Sequence, residues 1–418
     1  MKQLSGQDNS FLGIESIGLP QHISSVAIYD QSTADGKVVR FKDILGHLES
    51  RLHLSSIFRC KLQQVSFGAD RPYLVDDPDF DLEYHVRHIA LPKPRDIEPE
   101  GVRIIENPHS DAALLGRAYL NALRKPRRFY ELGRKMLVSR KVQRQKPEEA
   151  RTEGAKRLVS TRFNGEISPH RVLDAITFDF AEIRAIKNTL DGATINDVML
   201  TIVSGALHKY LAAKGELPEE TLTCGCPIDV RDDSERGTGG NVIGFMGVNL
   251  CTEYEDAAQR FLAVHEAAEE AKAHARASDV RINKQIMDTV PGGIMTTAMR
   301  VTAAMGVQAT PFNTMLTNIP GPPNQLYFAG AQIVEGFGIG PLVPSVGLFH
   351  TASSSVMNKE GKINLSFWAC RDMLPDPEIY RGSIEESCTE LKSATLDATS
   401  GNKKAAKRKP KGRKQKHQ

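Results

Sequence analysis

Residues Ala193–Leu211 read ATINDVMLTIVSGALHKYL, and this stretch decides the fold. Val198, Ile202, Ala206 and Tyr210 recur at helical spacing, with Met199, Val203 and Leu207 beside them. That is the stripe of a helix facing a core. Ser, Gly, His and Lys interrupt the apolar run, so it reads as a core helix and not as a bilayer span. Thr194 is expected as the N-cap. Asp197 falls in the first turn, where the helix dipole favours an anion.

Strand patterns flank this helix. NVIGFMGVNL (241–250) places Val242, Met246, Val248 and Leu250 on one strand face. KINLSFWAC (362–370) alternates Ile363, Leu365, Phe367 and Ala369 against polar or outward residues. Strands interleaved with helices predict an α/β fold of mixed sheets covered by helices. Nearer the N-terminus, RFKDILGHLESRL (40–52) has the spacing of an amphipathic helix, and YHVRHIAL (84–91) alternates like a strand. On a strand, His85 and His88 would point to opposite faces, one packed and one exposed, as structural residues.

The chain has 418 residues, 40% hydrophobic and 25% charged, which fits a soluble protein of two or three domains or one large two-lobed unit. The opening MKQLSGQDNSFLG has no apolar core of a signal peptide, which predicts a cytoplasmic protein. Six cysteines are scattered, and Cys224-x-Cys226 lacks the spacing and second pair of a zinc site. Reduced core thiols are expected and no bound metal. Residues 401–418 hold nine Lys or Arg and no acid, while the remaining residues carry 45 basic and 51 acidic side chains. The body is mildly acidic. The tail repels itself and is expected to be disordered.

Several stretches, in order, are more than periodic: FLGIESIGLPQHISSVAIYD (11–30), FRCKLQQVSFGADRPYLVDDPDFDLEYHVRHIALPKP (58–94), FNGEISPHR (163–171), the helix above, PIDVR (227–231), GGNVIGF (239–245), NIPGPPNQLYFAGAQI (318–333) and LSFWACRDMLPD (365–376). Together they resemble the bacterial wax ester synthase/diacylglycerol acyltransferase family. The resemblance implies a two-lobed fold like that of other CoA-dependent acyltransferases, with a tunnel between the lobes. It implies transfer of an acyl chain from acyl-CoA, a co-substrate and not a bound cofactor, to diacylglycerol or a fatty alcohol. It also implies that Asn196 and Asp197 are structural, and that Pro227, Arg231, Asn318, Pro320, Gly321 and Pro322 line or support the tunnel. The expected division is an N-terminal lobe over 1–123, a basic linker over 124–165, a C-terminal lobe over 166–395 and a basic tail over 396–418.

The family's catalytic signature is H-H-x-x-x-D-G, whose second histidine takes the proton of the attacking alcohol. An imidazole titrating near neutrality suits that step. This sequence has twelve histidines and no adjacent pair. After HVRHIALPKP comes RDIEPEGVRIIENPH, where the family continues with the segment that carries the signature. The seam over 92–107 reads as an internal deletion and leaves the N-terminal lobe incomplete. His350, on a stretch the resemblance places near the tunnel, is a weak substitute for the base. The alternative is a non-catalytic remnant that binds acyl-CoA or a lipid surface. The basic run Arg124–Lys146 and the tail favour anionic membrane or lipid inclusions as a peripheral partner. The tail lacks aromatic residues to stack on bases, so nucleic acid ranks last.

Overall fold

The computed structural model describes residues 1–15, 19–66, 70–89, 159–229, 243–277, 311–322, 324–354 and 361–397. The seam over 92–107, the basic run, Arg231, Val242 and residues 398–418 of the tail lie outside them.

In chain order the elements are β1 (Lys2–Gln3), α1 (Gly6–Ile14), β2 (Ser24–Asp30), α2 (Phe41–Glu49), β3 (Cys60–Gln63), β4 (Tyr73–Asp76), α3 (Leu82–His85), β5 (Arg171–Asp179), α4 (Phe180–Lys187), α5 (Ile195–Ala213), β6 (Thr223–Asp229), β7 (Ile243–Asn249), α6 (Ala257–Ala277), β8 (Thr314–Ile319), β9 (Tyr327–Phe328), β10 (Ala331–Ile339), β11 (Leu348–Ser354), β12 (Lys362–Cys370) and α7 (Pro377–Lys392).

The centre is a six-stranded mixed sheet in the order β5-β12-β11-β8-β6-β7. β8 runs parallel to β11 and β6, and the other neighbours are antiparallel. One face lies under α5, α6 and α7. The apolar side chains predicted on β12, Ile363, Leu365, Phe367 and Ala369, are all buried, and the Phe367 ring stands 5.1 Å from that of Tyr380 on α7. α5 is buried on nearly its whole circumference, including all seven residues of the predicted stripe and its flank. Thr194 caps it as the sequence predicts: its side chain accepts from Asp197 N, and Asp197 returns a bond to Thr194 N at 2.9 Å. Phe163 and Leu19, far from these helices in sequence, belong to the same core.

The opposite face of the sheet carries β10. This strand opens a second, three-stranded sheet, β2-β10-β9, in which β2 pairs with β10 along its full length, Ser24 opposite Ile339 and Asp30 opposite Gln332. One strand from each end of the chain thus forms the join. Gly336 and Gly338 alternate along β10, and Gly340 follows its end. A Cβ on Gly338 would lie 2.5 Å from Thr351 Cγ2, and one on Gly340 would overlap the Phe349 ring. The missing side chains at Gly338 and Gly340 let the backbone there settle on β11.

The N-terminal part is sparsely packed. A third sheet, β1-β4-β3, has beside it only a small hydrophobic cluster among the described residues, Val65, Tyr73 and Val75. α2 forms where its spacing predicts, yet none of its residues is fully buried. Every residue of β2 except Ala27 is exposed. Ile23, Leu54, Phe58 and Ile89 are each more than two-thirds exposed.

The strand predicted over Tyr84–Leu91 does not form over Tyr84–Ile89, and Ala90 and Leu91 lie outside the described residues. Leu82–His85 is a helical turn, capped by the Asp81 carboxylate, which accepts from Glu83 N at 2.9 Å. Alternation alone cannot hold a strand that lacks a neighbour to complete its hydrogen bonds. His85 and His88 are both exposed and stack on Phe80 at 5.3 Å and Phe41 at 5.4 Å respectively, so the expectation of one packed and one free histidine also fails.

Candidate functional site at the ends of the parallel strands

Three parallel strands, β6, β8 and β11, end on the same side of the central sheet at Asp229, Ile319 and Ser354. In open α/β sheets the crevice beyond such ends is where ligands bind, because neighbouring strands hand over to loops and leave backbone groups free. The motifs singled out in the sequence converge here. Pro227 lies on β6, two residues from its end, opposite Phe245 of β7. Asn318 lies on β8, level with Ala352 of β11. Pro320, Gly321 and Pro322 follow directly.

The Pro-Gly-Pro turn is clamped to β11. Gly321 N donates to Ser354 Oγ at 2.7 Å. A Cβ on Gly321 would overlap the Ser354 carbonyl, so only glycine permits this approach. The N-terminus closes one side. On α1, Gln7 clips the first residue of β7 as a strand would: its amide nitrogen donates to Ile243 O at 2.7 Å, and its oxygen accepts from Ile243 N at 3.1 Å. The β10–β2 sheet lies beside the turn, with Ile319 Cδ1 3.7 Å from the Cβ position of Gly338 on β10.

The histidine on these strands points away from the crevice. β11 alternates: Phe349, Thr351 and Ser353 face β10, whereas His350 faces the helices. His350 is fully buried. Its Nδ1 lies 3.1 Å from Met315 O and 3.2 Å from Thr314 Oγ1, and its Nε2 lies 2.8 Å from Tyr380 Oη. Thr314 spends its own proton on Leu348 O. The network therefore assigns the proton to Nδ1, and Tyr380 donates to Nε2. Burial pulls the imidazole down to about 4, which keeps it neutral at physiological pH. Both nitrogens are engaged inside the core.

Asn196 and Asp197 lie in the first turn of α5. Asp197 is fully buried, and its Oδ2 accepts from His265 Nδ1 at 2.9 Å, with Lys272 Nζ 3.8 Å from Oδ1. Its carboxylate joins α5 to α6 as well as capping α5. The sequence offers no spacing rule for the pairing with His265, since it depends on how two helices cross.

Two groups went unnoticed in the sequence. One is Gln7. The other is the polar set beneath β10, Ser353, Asn364 and Ser366. The period-two glycines in EGFGIG (335–340) were the available signal, because they mark a strand whose backbone approaches another surface. Among the described residues, no three His, Cys, Asp or Glu side chains cluster to hold a metal, and no helix is long and apolar enough to cross a membrane.

Known proteins match this architecture. The model of the wax ester synthase/diacylglycerol acyltransferase catalytic domain matches residues 4–99, and that of the WS/DGAT C-terminal domain matches residues 239–392. The chain belongs to the wax ester synthase/diacylglycerol acyltransferase family. It is an acyltransferase of that family, and the first match stops inside the seam. A Mycobacterium tuberculosis (strain H37Rv) protein named as a diacylglycerol O-acyltransferase is 27% identical, covering 96% of this chain and 92% of its own length. A second protein of that strain, named for the same activity, is 30% identical over 55% of this chain and 46% of its own length. The solved wax ester synthase/diacylglycerol acyltransferase from Marinobacter aquaeolei VT8 aligns with a TM-score of 0.62 at 20% identity, covering 95% of this chain and all of that one. This last likeness supports the two-domain acyltransferase fold.

Proposed function

We propose that the crevice beyond β6, β8 and β11 holds acyl-CoA and a lipid alcohol, and that the reaction is transfer of the acyl chain to diacylglycerol or a fatty alcohol. The observation that carries this reading is the convergence of Pro227, Asn318, Pro320, Gly321 and Pro322 at one end of the interior strands β6 and β8. In the reaction the alcohol oxygen bonds to the thioester carbonyl carbon, the C–S bond breaks, and CoA leaves as the thiol.

A base must take the alcohol proton, and its loss costs on the order of 10²–10⁴ in rate. His350 does not suit that role, with both nitrogens bonded and its basicity depressed. A second reading, a chain that binds these ligands with little turnover, therefore has support. The alignment to the first M. tuberculosis relative runs over 470 positions. It covers 96% of 418 residues, about 401, so about 70 positions have no residue of this chain opposite them. The thin packing around β2 and α2 agrees with an N-terminal lobe shortened near 92–107.

The test is release of free CoA by the purified chain given palmitoyl-CoA with diacylglycerol or hexadecanol. Release well above a boiled control supports turnover. Palmitoyl-CoA binding without release supports the second reading, and neither binding nor release refutes both. The basic tail and Arg124–Lys146 supply the peripheral attraction to anionic lipid, each cation near the surface contributing on the order of 1 kcal/mol. Deleting residues 401–418 should weaken sedimentation with phosphatidylglycerol vesicles, and unchanged sedimentation would exclude the tail.

A further inference from the structure

We propose that Asn364 and Ser366, with Ser353, are positioning residues for acyl transfer, because they fix the strand that walls the acyl-CoA crevice. The proposal rests on the placement of that crevice in the preceding subsection.

Among the described residues, the second edge of β10 has a strand beside it only at Ala331 and Gln332, where β9 pairs. From Glu335 onward, side chains of the central sheet take that place. Asn364 Nδ2 and Ser353 Oγ both donate to Gly336 O, at 2.9 and 2.8 Å. Ser366 Oγ donates to Gly338 O at 2.5 Å. Lys362 Nζ meets Glu335 Oε1 at 3.0 Å. Residues 362, 364 and 366 alternate along β12, so one face of that strand presents a row of donors to β10.

Asn364 and Ser366 are fully buried yet polar. Asn364 is held in turn by Thr177, whose Oγ1 donates to its Oδ1 at 2.8 Å. Buried donors are retained where they satisfy buried acceptors, and here the acceptors are the carbonyls of β10. The β10–β2 sheet carries the N-terminal part of the chain. The donor row therefore sets the height of that sheet over β11 and β12, and with it the width of the crevice at Ile319 and Gly321. Ile319 Cδ1 lies 3.7 Å from the Cβ position of Gly338, which ties the Pro-Gly-Pro turn to the same contact.

The experiment compares the full chain with N364A/S366A and with Ser366→Thr. It reads palmitoyl-CoA affinity by titration calorimetry and amide exchange by mass spectrometry. The expected result for N364A/S366A is at least tenfold weaker affinity, with at least tenfold faster exchange confined to Ser24–Asp30 and Ala331–Ile339. Ser366→Thr keeps the hydroxyl and should retain both properties. Unchanged exchange at those two strands overturns the proposal. So does accelerated exchange that extends evenly through α5 and β12, which would mark a general structural role. If the unaltered chain binds no palmitoyl-CoA, the crevice reading fails and takes the acyl-transfer role with it, while the exchange data still decide whether the donors hold β10.

Discussion

At the residue scale, His350 shows how burial sets chemistry. Unfolded, its imidazole titrates near 6.5, and folded it is pulled down to about 4. The folded state therefore binds fewer protons between those values, and stability falls as pH drops through that window. The contribution at neutral pH is up to about 3 kcal/mol, fully present above pH 6.5 and lost toward pH 4. Chemical denaturation at pH 7 and pH 4.5 should show this loss. His350→Phe should flatten it, at a cost of about 2–4 kcal/mol at pH 7, because Tyr380 Oη and Met315 O lose their partner. At Gly321, a methyl group meets the Ser354 backbone. Gly321→Ala should cost about 2 kcal/mol or more in thermal unfolding, through forced separation of the turn from β11.

At the element scale, α5 depends on both its cap and its burial. Thr194→Ala removes the acceptor for Asp197 N and should cost about 1 kcal/mol. Asp197→Ala removes the cap's return bond and the partner of His265 and Lys272, and should cost about 3 kcal/mol or more, since a buried network loses its anion. Denaturant midpoints of the two variants check the order. α5 was legible because a core helix writes its period into every turn. The strand expected at Tyr84–Leu91 fails over its described residues, Tyr84–Ile89, for the reverse reason. Its alternation matched a strand, but the cap at Asp81 is local and a strand needs a partner from elsewhere. KINLSFWAC was half legible. Its apolar face was correct, whereas Asn364 and Ser366 looked outward-facing and are buried beneath β10.

At the scale of the whole molecule, packing is uneven. The central sheet and its helices form one continuous core, while the segment before residue 90 leaves Ile23, Leu54, Phe58 and Ile89 largely exposed. Exposed apolar surface of this kind binds hydrophobic probes. The chain should enhance anilinonaphthalene sulfonate fluorescence at pH 7. Limited proteolysis should cut within the first 90 residues before it reaches 171–229 or 314–392, because local stability follows buried contact. Resistance of the N-terminal segment, with no dye enhancement, would contradict this.

The sequence by itself determined the α/β class, the core helix with its cap, and the absence of an adjacent histidine pair. Each of these is local, written in spacing or in identity. It also placed the motifs that meet at the strand ends, through their resemblance to a family. Only the tertiary structure decided which side of β11 carries His350 and that the opposite face of the sheet supports β10. Only it decided that Asp197 pairs with His265. These follow from which strands and helices become neighbours, and that choice is made by the burial of the whole core.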